Sequence, residues 1–140
     1  MTDAIYNETI VRTARDRSHA GRLDGADRTV TRDNPLCGDR VTVDLRVDDD
    51  RIAEIAQLTR GCVLTQAAAS VLAERLAGAD AAALSRAVED VRRLLAGENV
   101  VPAWPELMMF APVHDVRSRH ECVTLPFEAA AQALGQAASG

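Results

Sequence analysis

Residues 41–59 read VTVDLRVDDDRIAEIAQLT. Val41, Val43, Leu45 and Val47 alternate with Thr42, Asp44 and Arg46, the period of a strand with one buried face. Asp48-Asp49-Asp50 is a polar turn, and apolar residues then return at Ile52, Ile55, Ala56 and Leu58 in an imperfect alternation over Ile52–Thr59. An antiparallel hairpin is predicted. The aspartate run lacks the remaining ligand spacing of a calcium loop, so it reads as a solvated turn.

Upstream of the hairpin lies a turn, DNPLCGDRV at Asp33–Val41, and before it Ser18–Asp33, whose glycines and aspartates predict a loop with a short strand at Arg28–Arg32. Ile5, Thr9, Val11 and Ala14 fit a first helix from Ala4 to about Arg17. Downstream, Gly61-Cys62 closes the second hairpin strand. Leu64, Ala68, Val71, Leu72 and Leu76 then recur at helical spacing until Gly78, which puts Cys62 at or just before a helix start. Another helix fits Asp80–Ala96, with Leu84, Val88, Val91 and Leu95 on one face and Gly97 as its stop. Pro102, Pro105 and Pro112 break up Glu98–Val116, where a short helix is predicted within a loop. The Trp104–Phe110 cluster there reads as core or as a partner surface rather than a cofactor pocket. A last helix is predicted from Thr124 or Leu125, with Pro126 at its first position and Phe127, Ala130, Ala131 and Leu134 facing inward. Cys122 would then lie just ahead of it. The expected fold class is α+β: a small antiparallel three-stranded sheet packed on one face by about five helices.

The chain has 140 residues, 47% of them hydrophobic, enough for one ordinary core, so residues 1–140 are expected to form one domain. A net charge of −5 and 3% aromatic residues argue against a nucleic-acid partner. All 16 basic residues are arginine, which excludes Schiff-base and lysine general-base chemistry. The N-terminal sequence lacks the pattern of a signal peptide, and no apolar run approaches the roughly 18 residues of a membrane span. A reducing, cytoplasmic location without membrane attachment is expected.

In that compartment three cysteines read as free thiols or metal ligands rather than a disulfide framework. Each falls at a junction: Cys37 at a turn into a strand, Cys62 at a strand-to-helix turn, Cys122 at a loop-to-helix turn. A helix N-terminus favours thiolate over thiol. Gly38 permits a tight turn between Cys37 and Asp39, which could aim thiolate and carboxylate at one point. Zinc or iron accepts three thiolates and a carboxylate, and Cys37, Asp39, Cys62 and Cys122 make four such ligands. Taken singly, a lone cysteine is more often a small buried hydrophobe, and an aspartate after glycine more often a turn or cap residue. His19, His114 and His120 are candidate ligands or bases, although loop histidines are commonly just solvated. His120, two residues from Cys122, is the best placed. A cysteine hydrolase using Cys37 or Cys122 with His120 lacks an accompanying nucleophile signature.

With NPLCGDRV at Asn34–Val41, GCVLTQAAAS at Gly61–Ser70 and CVTLPFEA at Cys122–Ala129, in that order, the sequence resembles the SufU/IscU family, the NifU N-terminal-like iron–sulfur cluster assembly proteins. The resemblance covers nearly the whole chain and implies the same SufE/NifU-like α+β fold. The long stretch between Cys62 and Cys122, with its Glu98–Val116 segment, is closer to the SufU type. The scaffold type places a histidine immediately before the last cysteine, and this chain has Glu121 there. Thr65-Gln66-Ala67 stands where the family has serine-rich small residues, and SHAGRL where it has a proline–arginine–asparagine turn. By resemblance, Cys37, Asp39, Cys62 and Cys122 would hold zinc, and Cys37 would be the catalytic residue, accepting persulfide sulfur from a SufS-type cysteine desulfurase. A desulfurase histidine would take its place on the metal, and the sulfur would pass to downstream SUF assembly proteins. The alternative is a scaffold that uses the same ligands for iron or a [2Fe–2S] cluster. A third reading is an interaction module whose zinc only supports the fold.

Overall fold

The computed structural model describes residues 7–35 and 38–139, with side chains to residue 135. Helix α1, Glu8–Ala14, starts where the side-chain oxygen of Asn7 accepts the Ile10 N–H at 3.0 Å, and it buries Ile10 and Ala14. Three strands follow in sheet order β1–β2–β3: Arg28–Asn34, Asp39–Asp48 and Arg51–Arg60, all antiparallel. Helices α2, Val63–Leu76, and α3, Ala81–Leu95, come next. A 3-10 stretch over Pro105–Asp115 and a short 3-10 turn at Arg117–Arg119 then lead directly into α4, His120–Ser139. The α+β class and the three-stranded antiparallel sheet are as the sequence predicts.

The imperfect alternation after the hairpin turn has a local cause. Arg46 pairs with Glu54 but Val47 pairs with Ile52, so β3 carries an extra residue, Ala53, at this step. A bulge of this kind lets Ile52 and Ile55 face the same side despite their odd spacing. They join Val41, Val43 and Leu45 beneath the helices, all nearly or fully buried.

The expectation of one buried face on β2 needs correction, because Asp44 is fully buried and Thr42 nearly so. The segment read as a loop folds over that second face. Asp44 accepts from Arg22 Nε at 2.6 Å, from the Leu23 N–H at 3.2 Å and from Thr29 Oγ1. Burial pushes the Asp44 carboxyl up in pKa, but the hydrogen bonds from Arg22, Thr29 and Leu23 together hold it below its ordinary value. The same segment covers the edge of β3, where Gln57 donates to the His19 carbonyl and the Gly21 N–H donates to Gln57. Edge N–H groups that would otherwise invite another strand are thus used.

Helix α2 buries residues on all sides, from Leu64 through Ala73 to Leu76, as expected of a helix enclosed by others. It packs against β3, α1 and α4, while α4 also lies across β1 and β2. Helix α3 shows the one-sided stripe of an outer helix, burying Leu84, Ala87, Val91, Leu94 and Leu95. Its Asp90 carboxylate is buried and accepts the Ala103 N–H at 3.0 Å, fixing the start of the proline-rich stretch. Trp104, Leu107 and Phe110 are core, and Trp104 meets Phe127 of α4 at 6.3 Å between ring centroids. Met108, by contrast, is substantially exposed.

The last helix corrects the sequence reading. It begins at His120, so Cys122 sits inside its first turn and Pro126 lies within the helix. Proline at that point has no N–H to give to the carbonyl four residues back. The 3-10 turn at Arg117–Arg119 runs straight into α4, and this continuity supplies the start that the sequence reading assigned to proline. Among the described residues no helix is long and apolar enough to cross a membrane.

Candidate metal centre

Three element starts meet at one end of the sheet. Asp39 is the first residue of β2, Cys62 the N-cap of α2, and Cys122 lies in the first turn of α4. Their ligand atoms, one carboxylate oxygen and two sulfurs, all lie within 4.8 Å of one another. Asp39 is 1% exposed and Cys122 0%, while Cys62 is half-buried and provides the opening to solvent. Cys37, the fourth residue the sequence assigns here, lies outside the described residues. Its neighbour Gly38 has φ of +73°, a conformation that favours glycine, and its N–H closes the turn onto the Asn34 carbonyl at 2.8 Å.

The carboxylate is held from both sides. The Cys62 backbone N–H donates to Asp39 Oδ1 at 3.1 Å, and the Thr65 hydroxyl donates to Oδ2 at 3.0 Å. Cys62 itself makes no side-chain cap. The aspartate from the neighbouring strand takes the helix-start N–H instead, and Sγ stays available. Gly61, with φ of +154°, lets the backbone pass against Asp39: a Cβ built there would lie 2.2 Å from Oδ1. The Gln66 side chain donates to the Gly61 carbonyl at 3.0 Å and braces the turn.

The two thiols divide their protons unequally. A hydrogen bond from Cys122 lowers the Cys62 thiol to about 5, with help from Thr65 and against burial and the charge of Asp39. The donor, Cys122, is raised by that same bond, by burial and by the negative charges of Cys62 and Asp39. The pair therefore gives up one proton readily and holds the other until something replaces it. Two sulfurs and a carboxylate oxygen at one point, with an aspartate cradle that any side chain at position 61 would fill, fit a zinc or iron ion.

The histidines are not brought here. His120 Nε2 donates to the carbonyls of Val113 and His114 at 3.1 and 3.2 Å, His19 pairs with Glu74 at 3.0 Å, and His114 lies beside Asp115. His114 and His120 instead line an open cavity of about 810 Å³ with Arg92 and Arg117. Among the described residues the group that could hold a metal ion consists of Asp39, Cys62 and Cys122. Thr65 was not singled out as part of the site by the sequence. Its signal is a hydroxyl residue at the third position of a helix whose N-cap is a candidate ligand.

The NifU-like N-terminal domain matches residues 5–108. An iron–sulfur cluster assembly scaffold protein IscU from Thermotoga maritima is 27% identical over 131 residues, spanning 93% of this chain and 92% of the relative. A zinc-dependent sulfurtransferase SufU from Bacillus subtilis is 22% identical over 141 residues, spanning 99% and 95%. The crystal structure of a nitrogen-fixing NifU-like protein (N-terminal) from Brucella abortus superposes with a TM-score of 0.91 at 33% identity, covering 96% of this chain and 95% of that one. On this match of sequence and fold, the chain belongs to the NifU-like N-terminal domain family, the IscU and SufU family of iron–sulfur cluster assembly proteins.

Proposed function

We propose that this chain is a zinc-dependent sulfur acceptor in iron–sulfur cluster assembly, a single domain over residues 1–140 acting in the cytoplasm with a SufS-type cysteine desulfurase. The observation that carries this reading is the convergence of Asp39, Cys62 and Cys122 within 4.8 Å. Cys37, two peptide bonds before Asp39, completes the ligand set and is the sulfur acceptor. The near full-length likeness to a zinc-dependent sulfurtransferase supports the choice of zinc. Bound zinc keeps its cysteine ligands deprotonated and guards them from oxidation.

The chain's own residues supply the nucleophile and its setting. The Cys37 thiolate attacks the terminal sulfur of the desulfurase cysteine persulfide. A new sulfur–sulfur bond forms to Cys37 as the old one breaks, and the desulfurase cysteine leaves as a thiolate. No electron is gained or lost overall. The buried Asp39 and Cys122 hold their ends of the site while the half-exposed Cys62 side admits the partner. The sulfur then passes to downstream SUF assembly proteins.

A second reading, assembly of a [2Fe–2S] cluster on the same ligands, is favoured by the thiolate-rich donor set and by relatives named as scaffolds. Analysis of zinc, iron and acid-labile sulfide in protein purified anaerobically without chelator separates the two. The sulfur-acceptor reading expects about one zinc per chain and no sulfide, as for a single four-ligand site. It also expects faster desulfurase turnover when the protein is added, lost in Cys37→Ser. Iron with matching sulfide, and a desulfurase indifferent to the protein, would put the scaffold reading in its place.

A further inference from the structure

Thr65 is fully buried one turn into α2. Its hydroxyl donates to Asp39 Oδ2 at 3.0 Å, and the same oxygen lies 3.5 Å from Cys62 Sγ. A hydroxyl has one proton and two lone pairs. That oxygen thus lies against both the Asp39 carboxylate and the Cys62 sulfur, so one side chain touches two of the three converging groups. The other carboxylate oxygen takes the Cys62 N–H. Between them these two donors fix both the rotamer and the tilt of the Asp39 carboxylate.

We infer that Thr65 is a positioning residue of the metal centre: by holding Oδ2 it presents an Asp39 lone pair to the point on which Cys62 and Cys122 converge. This rests on the reading of Asp39, Cys62 and Cys122 as ligands. Packing alone does not call for this residue. A threonine is a weak helix former, and an apolar side chain of the same shape would fill this fully buried position without a hydroxyl that itself needs a partner. The hydroxyl is the part that meets the ligands. Outer partners that orient a metal-binding carboxylate commonly change metal affinity by about 10–100-fold when lost.

The test compares wild type, Thr65→Val and Thr65→Ser by zinc competition against a chromophoric chelator, by the visible spectrum of the cobalt(II)-loaded protein, and by the denaturant midpoint of the zinc-free protein. Thr65→Val keeps the shape and removes the hydroxyl, whereas Thr65→Ser keeps the hydroxyl. Zinc affinity is expected to fall about 10–100-fold in Thr65→Val and to stay close to wild type in Thr65→Ser. The cobalt ligand-field bands should move in Thr65→Val while sulfur-to-cobalt charge transfer persists. Unchanged zinc affinity and cobalt bands in Thr65→Val would overturn the role given to Thr65 and leave the ligands standing. An equal loss in both variants, in step with a lower zinc-free midpoint, would reduce Thr65 to a packing residue. Absence of zinc binding and of cobalt charge transfer in the wild type would overturn the ligand assignment itself.

Discussion

Gly61→Ala is expected to strip the protein of metal while leaving its sheet and helices folded. A Cβ at position 61 would lie 2.2 Å from Asp39 Oδ1, 2.8 Å from Cγ and 3.0 Å from Cβ. Contacts this short are not met by real Cβ atoms, and they extend along the aspartate rather than touching only its tip. Asp39 cannot swing aside without giving up its bonds to the Cys62 N–H and the Thr65 hydroxyl in a site where it is 1% exposed. The backbone at Gly61, with φ of +154°, adds strain for any L side chain. Losing the orientation of a ligand, beyond the effect of an outer partner, should lower zinc affinity by about 100-fold or more. Chelator competition on the purified variant measures this, with far-ultraviolet circular dichroism as the check on folding. Gly135→Ala, whose Cβ meets nothing within 4 Å, is the control that should retain metal.

Cys122→Ala is expected to have two separable consequences. It removes a fully buried sulfur from the converging group, so the protein should purify with little or no zinc. It also removes the hydrogen bond that is the largest cause of the low Cys62 value. In zinc-free wild type, Cys62 should alkylate as a thiolate with a midpoint of about 5. In the variant that midpoint should climb toward the ordinary thiol range of about 8.5. The direction follows from what remains: burial and the charge of Asp39 both favour the neutral thiol, and only Thr65 opposes them. Peptide mapping of the alkylated protein over a pH series reads Cys62 apart from Cys37. An unshifted midpoint would mean that Cys122 is not the donor to Cys62.

Much of this architecture was legible because it is written in side-chain periodicity. Val41, Val43 and Leu45 announce β2, and the stripe from Leu84 to Leu95 announces α3. What escaped has nonlocal causes. The role of Asp44 depends on Arg22, Leu23 and Thr29 arriving from a segment with no regular pattern of its own, so a polar residue in an alternating strand reads as solvated when it is buried. The start of α4 escaped because Pro126 imitates a first-turn proline, whereas the preceding 3-10 turn carries the chain into the helix earlier. Of the site, the residue types at the three junctions were readable, and with them Asp39, Cys62 and Cys122. Their mutual distance was not, since it depends on how α2 and α4 pack against the sheet. Thr65 and Gly61 acquire their meaning only from Asp39, a residue on a different element.

Zinc-edge X-ray absorption on the metal-loaded wild type counts the ligands without mutation. Three sulfur scatterers at about 2.3 Å and one oxygen or nitrogen at about 2.0 Å are expected if Cys37 joins Asp39, Cys62 and Cys122 on one ion. A shell of oxygen and nitrogen alone, with no sulfur at that distance, would mean that the metal sits elsewhere and that the convergence of these three side chains serves some other end.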